Sequence, residues 1–240
     1  MTALVFVHGL MGGSGQWQGQ ASAFPDFDFL ALDLPGFGEN AGMDVMANIA
    51  DFADWALKDL NARGIKKFHL VGHSLGGMVA QEMIAHAPER VDHLVLYGTG
   101  PRGVLPGRFE TIDTSKKRAC AEGPKATAKR IAATWFLERE HAAAYERCAE
   151  IAELSSIDAI LAGLDAMNCW NGTDRLSQIE AKTLIVWGDH DRTYPWTQTE
   201  ELWQSIKGAN LSVISGCAHA AHLEKQELFN AILNDFLVEY

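Results

Sequence analysis

Positive charge is scarce in this chain of 240 residues, where 20 lysines and arginines stand against 31 aspartates and glutamates for a formal net charge of -11. Nucleic acids and anionic membrane surfaces repel such a surface, and no Lys/Arg-rich run reverses the balance locally, so neither is an expected partner. Cysteine is thin as well. Cys120, Cys148, Cys169 and Cys217 are scattered without C-x-x-C or a His/Cys metal spacing, which argues against a disulfide framework or a zinc site and for reduced thiols in a cytoplasmic setting. No segment reaches the roughly 18 uninterrupted apolar residues of a membrane span. Met1 to Met11 lacks the basic start and small-residue cleavage site of a secretory leader. Internal repeats and low-complexity linkers are also missing. What is present is a hydrophobic fraction of 48%, enough for a sizeable core in one domain or a domain with an insertion.

The chain is organised around Val71-Gly72-His73-Ser74-Leu75-Gly76-Gly77, a G-x-S-x-G pattern between the apolar run Phe68 to Val71 and a helix-like run from Leu75 to Ala87. The five-residue pattern alone is weak; a strand before it and a helix after it make it a nucleophile elbow. Such a turn holds its central residue at positive φ and lifts the Ser74 hydroxyl above the sheet edge, with Gly72 and Gly76 providing clearance.

Leu4 to Val7 reads as a buried strand ending in the loop His8 to Gly13, and Asp26 to Leu32 as a second ending in Asp33 to Gly38. Asp44 is positioned to cap a helix carrying Val45, Ile49, Phe52, Ala53, Ala56 and Leu60, stopped by Gly64. After the elbow and its helix comes a strand from His93 to Tyr97, and then no strand until Thr183. Helix signals fill the gap: Pro124 opening Lys125 to Phe136, an Ala/Glu-rich run from Glu138 to Leu154, and Ser156 leading into Ile157 to Met167. Strand Thr183 to Trp187, helix Thr197 to Ile206, strand Leu211 to Ile214 and a closing helix from Lys225 to Val238 complete the pattern. Strands alternating with helices imply an α/β fold with a mostly parallel sheet covered on both faces. The predicted organisation is a core of residues 1–99 and 178–240, with 100–177 a helical lid above the strands' carboxyl ends, where ligands bind in open α/β sheets.

A serine hydroxyl needs a base within hydrogen-bond reach, itself oriented by an acid. His219 follows the strand ending at Ile214, and Asp189 and Asp191 follow the strand ending at Trp187, so the order is serine, acid, histidine. His8-Gly9 and its loop, Asp33 to Gly38, Gly72 to Gly76, Gly188 to Asp191, and His219 with Leu223-Glu224 together resemble the α/β-hydrolase superfamily over essentially the whole chain. The resemblance implies Ser74 as nucleophile, His219 as base and Asp191 as acid. It also implies an oxyanion hole from the backbone N–H groups of Leu10 and Leu75, acyl-transfer chemistry without metal or cofactor, and a small-molecule substrate. The family's N-terminal hairpin has almost no room ahead of Leu4, so six strands are expected rather than eight.

His73 and His222 are expected to tune or pack around the site, and His8 to shape the loop. Trp135, Phe136, Met167 and Trp170 are candidates to wall an apolar pocket. Arg102, Arg108 and Arg118 are candidates to meet a substrate carboxylate. Beyond the superfamily, the short N-terminus, compact lid and Trp170 to Leu176 segment resemble enol-lactonases and small carboxylesterases, so the expected reaction is ester or lactone hydrolysis. Carbon-carbon bond hydrolases or lyases of vinylogous-diketone or menaquinone-pathway type, cofactor-free oxygenases or perhydrolases, and a non-enzymatic ligand receptor share the fold and stay open. So does the choice between monomer and homodimer.

Overall fold

The computed structural model describes residues 1–104 and 109–238. Strands β1 (Ala3–Val7), β2 (Asp28–Leu32), β3 (Phe68–His73), β4 (Val91–Tyr97), β5 (Lys182–Gly188) and β6 (Asn210–Ile214) form one sheet in the order β2-β1-β3-β4-β5-β6. Every neighbouring pair is parallel. Successive side chains of a strand face opposite sides of a sheet. Val5, Val7, Leu70, Leu94 and Leu96 accordingly enter one core, and Leu4, Phe6, Val71, Val95 and Tyr97 the other.

Helices α2 (Ile49–Ala62), α3 (Leu75–His86) and α8 (Trp196–Ser205) supply buried apolar residues to the first core, among them Phe52, Leu60, Met78, Met83 and Leu202. The second core is closed by Trp17, by Phe24 just beyond α1 (Gln18–Ala23), and by Phe229, Leu233 and Phe236 of α10 (Gln226–Leu237). Short helix α9 (Ala221–Glu224) precedes α10. Strand order reverses between β1 and β3, so the carboxyl ends of those two strands open a crevice at the topological switch point. No described helix is long and apolar enough to cross a membrane.

Between β4 and β5 lie α4 (Ile112–Glu122), α5 (Pro124–Thr134), α6 (Tyr145–Glu153) and α7 (Ile157–Cys169). The Ser156 hydroxyl accepts from Ala159 N–H at 3.1 Å and fixes the start of α7. Two local expectations are corrected, and one helix was not expected. Helix α2 begins at Ile49, not at Asp44, and Val45 is 44% exposed, because the chain before Asn48 crosses the Gly36 loop without turning helical. The run from Glu138 to Leu154 is broken: Arg139 takes a positive φ of 52° and Ala142 is extended, so only α6 survives of it. The corner just before that break spends its backbone groups on tertiary bonds, with Trp135 C=O accepting from Ala220 N–H at 2.8 Å and Phe136 C=O from Arg192 at 2.9 Å. Helix α4 carries little apolar pattern; it is set by the Thr111 cap on Thr114 N–H and by pairing of Lys116 with Asp165 of α7.

Candidate active site

Ser74 joins β3 directly to α3 and sits at φ 58°, ψ -122°, a conformation that a non-glycine residue holds only when its surroundings enforce it. Those surroundings are explicit. Ser74 N–H donates to Tyr97 C=O at 3.0 Å, and Ser74 C=O accepts from Thr99 Oγ1 at 2.7 Å and from Gly77 N–H at 2.9 Å. A Cβ on Gly76 would lie 2.3 Å from the carbonyl oxygen of Val7, so only glycine lets the first turn of α3 press against the end of β1. The helix N-terminus behind Ser74, with Leu75 N–H in its first turn, is a place where backbone N–H groups and the helix dipole favour negative charge.

Facing the elbow, His219 Nδ1 lies 2.7 Å from Asp191 Oδ2, and both side chains are buried. Asp191 Oδ1 accepts Thr193 N–H at 2.7 Å and Tyr194 N–H at 3.1 Å, so three donors converge on one carboxylate. Asp189 is spent elsewhere: its Oδ1 accepts Gly216 N–H at 2.8 Å and pins the turn after β6. Between β4 and the His219–Asp191 pair stands Gly98 at φ 51°, where a Cβ would come within 3.2 Å of His219 Nδ1 and 3.4 Å of Asp191 Oδ2. The Tyr194 ring stacks parallel to His219, with centroids 5.7 Å apart.

Ser74 and His219 line one small cavity with Gly9, Leu10, Gln16 and Trp135. The loop that brings Leu10 there is held by His8, whose Nδ1–H donates to Gly9 C=O at 2.7 Å while Nε2 accepts Leu34 N–H at 3.0 Å. Burial lowers the pKa of His8. It pushes His73 well below the usual histidine range and His222 down to about 3, so both stay neutral at working pH. Cys217 is pushed up to about 12 by burial, which leaves its thiol protonated, and its Sγ is spent on Ile214 C=O at 3.3 Å.

Trp135 therefore lines the cavity, whereas several other residues singled out from sequence do not. Trp170 donates its indole N–H to Glu82 Oε1 at 2.7 Å and faces a separate pocket with Ile84 and Arg175. Arg102 is paired with Glu201, and Arg118 bonds Glu110 and Glu122, each at 3.1 Å, because a carboxylate within reach claims each cation. Phe136 and Met167 are core residues, and Arg108 lies outside the described residues. The reading from sequence overlooked Tyr97, Gly98 and Thr99. A Tyr-Gly-Thr run at the end of a buried strand adjoining the elbow strand was the available signal, since parallel strands bring their carboxyl ends to one edge.

A sequence model described as alpha/beta hydrolase fold matches residues 2–226. The 2-hydroxy-6-oxo-6-phenylhexa-2,4-dienoate hydrolase of Comamonas testosteroni is 30% identical over 255 residues, a match covering 98% of this chain and 87% of that protein. The structure superposes on the enol-lactonase from Burkholderia xenovorans LB400 with a TM-score of 0.89 at 22% identity, over 100% of this chain and 92% of that one, a likeness of fold. A thermophilic esterase from Thermogutta terrifontis gives a TM-score of 0.88 at 25% identity, over 99% and 89% of the two chains.

Proposed function

Because the chain belongs to the alpha/beta hydrolase family, we propose that it is a serine hydrolase opening a small ester or lactone through an acyl-enzyme. In this reading Ser74 is the nucleophile, His219 the base and Asp191 the acid. The observation that carries it is the fixed direction of the His219 ring: Nδ1–H is committed to Asp191, so the lone pair of Nε2 is left for the cavity that His219 shares with Ser74. The Ser74 hydroxyl gives its proton to His219 as Oγ attacks the carbonyl, and the negative charge that develops on the substrate oxygen meets Leu10 N–H and Leu75 N–H. Each such donor is worth about 3 kcal/mol in the transition state. Imidazolium then protonates the departing alcohol, and water repeats the sequence on the acyl-enzyme. Residues 100–177 act as a lid whose Trp135 walls the cavity.

A carbon-carbon bond hydrolase is the second reading, favoured by the 30% identical relative. That relative's substrate is by name a carboxylate. Among the described residues lining the cavity there is no lysine or arginine to receive one, which favours an uncharged ester or lactone here. Incubation with a fluorophosphonate probe should label Ser74, located by mass spectrometry, and Ser74→Ala should lose at least a thousandfold in ester turnover, as removal of a triad member does. Labelling at another residue, or unchanged turnover in Ser74→Ala, overturns the assignment. Preference for diketones over esters and lactones in a substrate panel selects the second reading.

A further inference from the structure

Beneath the acid-base pair lies a group of buried aromatic polar side chains that the mechanism above leaves unused: His73, Tyr97 and His222, with Trp17 stacked on His222 at 4.3 Å. The hydrogen bonds of His73 and Tyr97 converge on one atom. The backbone carbonyl oxygen of His219 lies 2.7 Å from the Tyr97 hydroxyl and 3.0 Å from His73 Nε2. A carbonyl can only accept, so the Tyr97 proton and the proton of His73 are both placed: Tyr97 O–H and His73 Nε2–H donate to His219. With its proton spent there, the Tyr97 oxygen accepts from His222 Nδ1–H and from His222 N–H, each at 3.2 Å, which fixes the tautomer of His222 as well.

Both donors also hold the nucleophile. His73 precedes Ser74 in the chain, and the Tyr97 carbonyl accepts the Ser74 N–H at 3.0 Å. Each of these residues thus grips Ser74 through the backbone and the carbonyl of His219 through its side chain. The stacking of the two rings, with centroids 4.5 Å apart and planes within 21°, keeps the donors side by side. We infer that His73 and Tyr97 are positioning residues, a two-donor clamp on the His219 carbonyl that sets the reach of the His219 ring to Ser74 Oγ. Nothing in this role requires either side chain to touch substrate or to change charge; both are buried, Tyr97 completely and His73 with one edge on the cavity that it shares with Ser74.

This inference rests on the serine-hydrolase reading, and the experiment separates the two. Wild type, Tyr97→Phe, His73→Phe and His73→Gln are compared for ester kcat and KM, for the rate of fluorophosphonate labelling of Ser74, and for melting temperature. Phenylalanine keeps ring shape and removes the donor; glutamine keeps a donor where Nε2 stood. Each Phe variant should lose about tenfold in kcat and in labelling rate with KM unchanged, as for one lost hydrogen bond acting on geometry. His73→Gln should recover most of the loss. The downfield proton resonance of the His219 Nδ1–H to Asp191 bond should persist in all four proteins, since that bond is untouched. Phe variants that turn over and label like wild type overturn the clamp, as does His73→Gln being no better than His73→Phe, or a loss appearing in KM alone. If Tyr97→Phe melts below the assay temperature, the two His73 variants decide the matter. A wild type that takes no label overturns the hydrolase assignment and the clamp with it.

Discussion

Replacing Asp191 with asparagine tests the acid assignment at the level of a single proton. Three donors meet the carboxylate: Thr193 N–H and Tyr194 N–H at Oδ1, and His219 Nδ1–H at Oδ2. Asparagine offers only one acceptor atom. The two backbone donors cannot move, so they claim the amide oxygen, and the NH2 group turns toward His219. The ring must then present a lone pair at Nδ1 and carry its proton on Nε2, where it cannot accept from Ser74. In a serine protease the same exchange costs about four orders of magnitude in kcat, or about 5.5 kcal/mol. Asp189→Asn is the control, because its Oδ1 survives to accept Gly216 N–H, and turnover should stay within about twofold at a stability cost below about 0.5 kcal/mol. The assay is kcat on an activated ester with melting temperature for both variants. A collapse in Asp189→Asn with Asp191→Asn active would move the acid to Asp189, and full activity in both would refute the tautomer argument.

Two further outcomes follow from buried groups. His222 keeps a folded pKa of about 3 against 6.5 unfolded, so below pH 6.5 the unfolded chain takes up a proton that the folded chain refuses. Stability therefore falls as pH drops from about 6.5 toward 3, by at most about 1.4 kcal/mol per unit for this residue; melting curves from pH 4 to 8 should show the slope, and a slope equally steep in His222→Phe would remove His222 as its source. Trp170→Phe leaves Glu82 without its indole donor and should cost about 1–2 kcal/mol, a few degrees of melting temperature, while relative kcat/KM across a set of esters stays fixed. Altered selectivity without a melting shift would return Trp170 to the substrate pocket.

The six-stranded fold was legible because each strand is an apolar run bounded by turn formers, and the elbow because its glycines sit where backbone meets backbone. Ser74, His219 and the turn holding both Asp189 and Asp191 were legible as positions after strand ends, where a parallel sheet gathers loops onto one edge; the choice of Asp191 came from the resemblance. Side-chain destinations were not. Trp170 and Arg102 look from sequence like pocket residues, yet Glu82 and Glu201, distant in the chain, claim them. Tyr97 stayed hidden for the opposite reason: a tyrosine ending a buried strand reads as core, and its hydroxyl acquires meaning only once the carbonyl of His219, 122 positions away, is seen above it. The helix expected from Glu138 failed because tertiary bonds at residues 135–137 outweighed local propensity.

The carboxylate of Glu224 accepts Ala218 N–H at 2.7 Å with one oxygen and Leu137 N–H at 2.6 Å with the other, beside the Trp135 C=O that accepts from Ala220. One side chain thereby rivets the corner after α5 to the loop carrying His219. This corner is thus the fixed end of the helical insertion, with Trp135 at the cavity wall tied to the same loop that carries His219. Elsewhere on the insertion, Gly163 of α7 lies against Leu10 so closely that a Cβ there would stand 2.5 Å from the leucine Cδ1. Any residue larger than glycine at position 163 would therefore displace Leu10 from the cavity it lines with Ser74, so the insertion bears on the site from this side as well as through Trp135.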